Sequence, residues 1–265
     1  RLAALLQSVG SENQARDLYQ TLMKEDPGNP RVFLEMGRIA RRANQRKKAG
    51  EHLKKAFSAY FQLANLYREG KRYDAAIQHY RKAIRGNPGF LADYMMLGLL
   101  YEHRKKPEEA MKVYDEALSR KSDFFPAANN LAWLFLTQGR NLDWALELAN
   151  VAARRAPGVP AVLDTLGWAY FKKEKYGLAA THLRKALSRT PKNPSVMYHL
   201  GMAYARAKER EQALPLLRKA YKALRKSGRK PRPSAGPSSR SATNCLDGDP
   251  PTGTLRRRGR DGPPP

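Results

Sequence analysis

The sequence predicts an all-α array of helix-turn-helix units, and three observations carry that prediction. A Leu-Gly pair followed by an aromatic residue recurs as Leu97-Gly98-Leu99-Leu100-Tyr101, Leu166-Gly167-Trp168-Ala169-Tyr170 and Leu200-Gly201-Met202-Ala203-Tyr204. Twelve residues after each glycine stands an alanine (Ala110, Ala179, Ala213), and seven further on another (Ala117, Ala186, Ala220). Prolines then punctuate the pattern at Pro27, Pro88, Pro157 and Pro191, where the missing N–H and the ring's clash with the preceding turn stop a helix. Self-similarity on a period of 34 residues is the signature of stacked helical pairs, none of which can bury its apolar stripe alone.

Taken in order, the register yields about seven units, the first starting before Arg1 and the others at Pro30, Phe57, Leu91, Phe125, Pro160 and Pro194. The first is cut into but keeps Leu2, Ala3, Leu6, Ala15, Tyr19 and Pro27. Ala49, Leu53 and Ala56 are in register with the second helix of the second unit, yet the third unit begins at once at Phe57. Nothing from Lys47 to Glu69 breaks a helix except Gly50, so one fused helix is expected across that junction, or else a segment is missing there. The third unit carries Leu63, Ala64, Tyr67, Ala76, Tyr80, Ala83 and Pro88; the fifth has one extra residue in its Gln138–Leu142 turn. The expected domains are therefore a truncated and shortened N-terminal part at 1–56, a regular array at 57–227 (units 57–90, 91–124, 125–159, 160–193 and 194–227), and a tail at 228–265. Gly98 and Gly167 are the small residues that let two helices of one unit approach, and Tyr101, Tyr170, Tyr204, Tyr114 and Leu183 fill the remaining space.

This pattern, from Arg1 to Ser227, resembles the tetratricopeptide repeat family, whose signature is L-G-x-x-Y, then A-x-x-x-F, then a proline. The resemblance implies a right-handed superhelical solenoid that binds protein partners on a concave surface lined by the first helix of each unit. The last three units, with Asn129-Asn130-Leu131-Ala132-Trp133 ahead of the Leu166 and Leu200 motifs, are similar to bacterial repeat proteins of exopolysaccharide and exosortase-associated envelope systems, which implies an envelope-assembly role.

Charge is the second marked property. The net charge is +26, and 42 basic against 21 acidic residues lie in 1–227, so the excess belongs to the repeats and not to a detachable tail. Such a chain attracts polyanions, whether nucleic acid, acidic lipid or an acidic protein, unless its cations are simply solvated helix faces. The tail is rich in Pro, Gly, Ser and Arg and nearly devoid of large apolar residues, so disorder is expected; a basic patch at Arg256–Arg260, a solvated charge run and a displaced reading frame all fit it. A single cysteine, Cys245, excludes an internal disulfide and a cysteine-based zinc site. No apolar run reaches the ~18 residues of a membrane-spanning helix. The chain starts at Arg1 inside a unit, which reads as a truncated N-terminus and leaves cytoplasm, periplasm and envelope all open.

No catalytic arrangement, metal-ligand spacing or phosphate loop emerges from His52, His79, His103, His182, His199 or the acidic residues, so a non-enzymatic protein with no cofactor and no metal is expected. Carried over position by position, the resemblance implies a partner groove of Met95, Met96 and Leu99; Asn129, Asn130 and Trp133; Asp164, Thr165, Trp168 and Phe171; and Tyr198, His199 and Met202. Aromatics and methionines offer contact area to a peptide or helix, and amides can satisfy its backbone. Packing between units is the other role for Trp133 and Trp168. Toward the N-terminus the same positions give a basic groove of Arg31, Arg38, Arg41, Arg42 and Arg68, suited to an acidic peptide. The two-carboxylate clamp of chaperone-binding members is absent, since its positions read Leu34/Arg38, Phe61/Asn65 and Met95/Leu99. Two functions follow: a scaffold holding a protein partner in the groove, or a basic solenoid holding nucleic acid or another polyanion.

Overall fold

The computed structural model describes residues 10–226 and contains twelve α-helices among them. Leu2, Ala3 and Leu6 of the first unit and the tail expected at 228–265 lie outside the described residues. The chain forms two compact units, Arg1–Leu131 and Ala132–Pro265. The first contains α1 (Glu12–Glu25), α2 (Pro30–Arg42), α3 (Arg46–Glu69), α4 (Tyr73–Gly86), α5 (Leu91–His103) and α6 (Pro107–Arg120). The division falls inside α7 (Phe125–Gln138); the second unit continues with α8 (Leu142–Arg155), α9 (Pro160–Lys172), α10 (Tyr176–Arg189), α11 (Pro194–Arg206) and α12 (Arg210–Lys226).

The predicted unit starts at Pro30, Leu91, Phe125, Pro160 and Pro194 are all helix starts. Proline stands in the first turn of α2, α6, α9 and α11, where its missing N–H is one the helix leaves free anyway. Asn29 and Asn193 cap α2 and α11, their side-chain oxygens accepting from the backbone N–H groups of Arg31 and of Ser195. The turn between the two helices of a unit passes through the left-handed region, at Asn44, Lys71, Lys105, Gly139 with Asn141, Glu174 and Lys208. That conformation reverses the chain within three residues of the last helical turn.

The close approach assigned to the repeat glycines is present. A Cβ on Gly98 would lie 2.3 Å from Cε1 of Tyr114, and one on Gly167 would lie 2.5 Å from Cγ of Leu183. The alanines facing them, Ala110, Ala117, Ala179 and Ala186, are fully buried. In the first unit Ala15, Tyr19, Val32, Met36 and Ile39 pack α1 against α2. In the second, Ala179, Ala180, Leu183, Leu200, Ala203, Tyr204 and Ala213 join α10, α11 and α12.

The shortened second repeat runs into the third as one helix: α3 continues without interruption for 24 residues, about 36 Å at 1.5 Å per residue. Its N-terminal half packs on α2, where Gly37 faces Leu53, and its C-terminal half on α4, where Phe61 meets Tyr80 and Tyr67 stacks on His79. Position 56/57 lies inside this helix, with Ala56 and Tyr60 buried. The two compact units meet at 131/132. Among the described residues no helix is long and apolar enough to cross a membrane.

Candidate functional site

Six of the thirteen predicted groove residues meet in one cluster of the second unit. Trp168, in the middle of α9, is sandwiched between two rings. Phe171 stacks on it with centroids 4.4 Å apart and planes 5° apart, and His199 of α11 stacks with centroids 4.4 Å apart. Trp133 and Tyr198 also approach the imidazole, with centroids 5.7 Å and 5.9 Å away. Asp164, one helical turn before Trp168, takes a hydrogen bond from Nδ1 of His199 at 2.8 Å and so fixes the ring that Trp168 leans on. Lys172, one turn after Trp168, lies over the indole at 5.5 Å, and burial holds its ammonium below the usual lysine range.

Exposure sorts these side chains into a floor and a wall. Trp168 is only 1% exposed, and Thr165, His199 and Met202 are buried as well. They are packing residues: the Thr165 hydroxyl donates to the carbonyl of Ala161 in its own helix, and a ring covered on both faces has no area left for a ligand. Trp133, Phe171, Tyr198 and Asp164 are only half-buried and keep part of their surface open. Burial pushes the Tyr198 hydroxyl's pKa up, keeping it a neutral donor.

The remaining predicted groove residues belong to the first unit. Met95 and Met96 are half-buried and Leu99 is exposed. The Asn130 amide donates to the Tyr114 hydroxyl at 3.2 Å, which itself donates to Oε1 of Glu102 at 2.6 Å. Burial raises the Glu102 carboxyl's pKa, and the tyrosine's hydrogen bond partly offsets it. Asn129 donates to Asn130 at 3.3 Å, and its own carbonyl oxygen is buried without a partner. The two amides are thus held in place from behind by residues the sequence reading assigned no site role. Glu102 and Tyr114 twelve residues apart across one hairpin were the signal available.

The basic groove is partly neutralised from within. Arg38 pairs with Glu35 at 2.7 Å, Arg42 with Glu12 at 3.2 Å, and Arg68 with Glu69 at 3.5 Å, while Arg31 and Arg41 are exposed. Sequence reasoning also passed over Asp93 in the first turn of α5. It is 1% exposed, Oδ1 has no hydrogen-bond partner, and burial pushes its carboxyl to about 7. An acid inside the apolar run Leu91–Tyr101 with no cation near it in sequence was the sign. Among the described residues no group of three His, Cys, Asp or Glu is placed to hold a metal.

Comparison with known proteins agrees with this architecture. The Tetratricopeptide repeat family model matches residues 46–89, 61–128 and 165–228, together more than half of the chain. The anaphase-promoting complex subunit CDC16 of Saccharomyces cerevisiae is 27% identical over 186 residues, 66% of this chain and 22% of that protein. The TPR repeat-containing protein PA4667 of Pseudomonas aeruginosa is 28% identical over 157 residues, 59% of this chain and 27% of that protein. The chain thus spans about a quarter of the length of either curated relative. Among solved structures, MamA from Desulfovibrio magneticus RS-1 has the same fold, with a TM-score of 0.56, 18% identity, and coverage of 64% of this chain and 96% of that one. From the 34-residue register, the glycine and alanine contacts and the family match, the chain belongs to the tetratricopeptide repeat family.

Proposed function

We propose that this chain is a non-enzymatic scaffold that holds a peptide or helix of a protein partner on the inner faces of its first helices. One observation carries the reading: Trp133, Phe171 and Tyr198 stand half-buried around a floor of Trp168 and His199, whose imidazole Asp164 holds in place. Rings fixed by stacking and by a buried hydrogen bond lose little entropy on binding, and large aromatics give the most contact area per ordered side chain. His199 serves here as a plate, since its Nδ1 bonds to Asp164 and its ring stacks on Trp168. The yeast relative's membership of a multisubunit complex supports a role in assembly. The likeness of the last three units to envelope-assembly repeat proteins directs the search for the partner to exopolysaccharide machinery.

Affinity capture from the native host at physiological salt, after nuclease treatment, tests this. Wild type is expected to retain partner proteins that a Trp133→Ala/Tyr198→Ala variant of unchanged helicity loses. Identical prey from both proteins would sink the inner-face reading.

A further inference from the structure

Beyond partner binding on the inner faces, we propose that the first unit carries a separate, sequence-independent site for the phosphate backbone of duplex nucleic acid. The site is centred on the turn from α2 to α3. Residues 31–90 contain fifteen Lys or Arg against four Asp or Glu, and the excess peaks at 41–48. All eight residues there are exposed, and Arg41, Arg42, Arg46, Lys47 and Lys48 are cations. Lys54 and Lys55, also exposed, extend the patch along α3 to about 13 Å from Arg46. Among the described residues, only Arg42 of these seven is ion-paired, to Glu12.

The placement works against local stability, and that singles the patch out from ordinary solvated lysines. Arg46, Lys47 and Lys48 open α3 at the positive end of its dipole, with no acidic residue in the first turn and no side-chain cap. By contrast α1, α4, α5 and α6 carry Asp or Glu there, as the dipole favours, and α9, α10 and α11, which also lack an acid, place no cation in that turn. Bound phosphates would neutralise the repulsion among these cations.

The chemistry selects among polyanions. The exposed large apolar residues of the described chain, among them Leu66, Phe90, Leu99, Trp144 and Leu178, all lie outside 31–60. The patch thus has no wedge to insert into a lipid interface and no ring on which unpaired bases stack. What remains is a compact array of point charges, matched by the one charge per ~1.7 Å that a duplex presents.

The test is fluorescence anisotropy of a labelled 20-base-pair DNA duplex with the full chain, titrated from 50 to 200 mM salt. Six available cations predict a slope of log K on log salt near −5, or about a 10³-fold loss over that range. An Arg46→Gln/Lys47→Gln/Lys48→Gln variant is expected to bind at least tenfold more weakly at 100 mM salt, with a slope flatter by about 2.7. An Arg184→Gln/Lys185→Gln/Arg189→Gln control on α10 is expected to change neither. Absence of duplex binding, equal losses in both variants, or phosphatidylglycerol vesicles displacing the duplex through this patch would each overturn the proposal. None of these outcomes bears on the Trp133 face.

Discussion

Asp93 is a carboxyl placed where water cannot reach it and no donor meets its Oδ1. Its folded pKa of about 7 lies above the ordinary value of 3.8, so the folded state holds this proton more tightly than the unfolded chain does. The stability it contributes is complete below pH 3.8 and is lost as pH rises toward 7. Asp93→Asn removes the titration, so the variant should gain about 2–4 kcal/mol over wild type between pH 4 and pH 8, read by urea denaturation at both pH values. A difference independent of pH would show that the acid is solvated after all. The tryptophans offer a second contrast of the same kind. Trp168→Ala empties a buried, doubly stacked site and should cost about 3–5 kcal/mol, whereas half-exposed Trp133→Ala should cost far less while weakening partner capture. Equal losses of stability in the two melting curves would contradict the division into floor and wall. Position in the repeat alone does not separate them, because both tryptophans are the ninth residue of their units. Burial there is decided by which ring from the next unit arrives, and His199 arrives on Trp168.

Among the elements, α3 concentrates what was legible and what was not. Its continuity could be read from the absence of any breaker save Gly50 between Lys47 and Glu69, and from the seven residues missing from the second repeat. What no sequence pattern announced is how it is held: one half by α2 through Leu53, the other by α4 through Phe61 and Tyr67. Gly50 tests the helix directly. Nothing lies within 4 Å of the position a Cβ would take, so Gly50→Ala should stabilise the chain by about 0.5–1 kcal/mol in chemical denaturation. A loss would mean that Gly50 marks a break in α3. Helix starts were legible wherever a proline or a capping asparagine stood at the register point, as at Pro30, Pro160 and Pro194. The hydrogen-bonded chain from Asn130 through Tyr114 to Glu102 was not, because it joins three helices at separations no local pattern encodes.

At the scale of the whole molecule, the repeat provides two kinds of surface with different physics. The aromatic face of the second unit is built on buried stacking and should be nearly indifferent to salt. The cationic patch of the first unit is built on charge and should weaken steeply with it. The repeat sets the hairpins and their glycine contacts, and the side chains placed on that frame set what each face can hold. The central claim concerns the aromatic face, and photo-crosslinking tests it most directly. A p-benzoylphenylalanine introduced at Tyr198, irradiated in nuclease-treated host lysate, should give a discrete partner adduct that Trp133→Ala abolishes. The same probe placed at Lys185, an exposed residue of α10, should give none. An adduct from Lys185 equal to that from Tyr198, or none from Tyr198, would contradict the account.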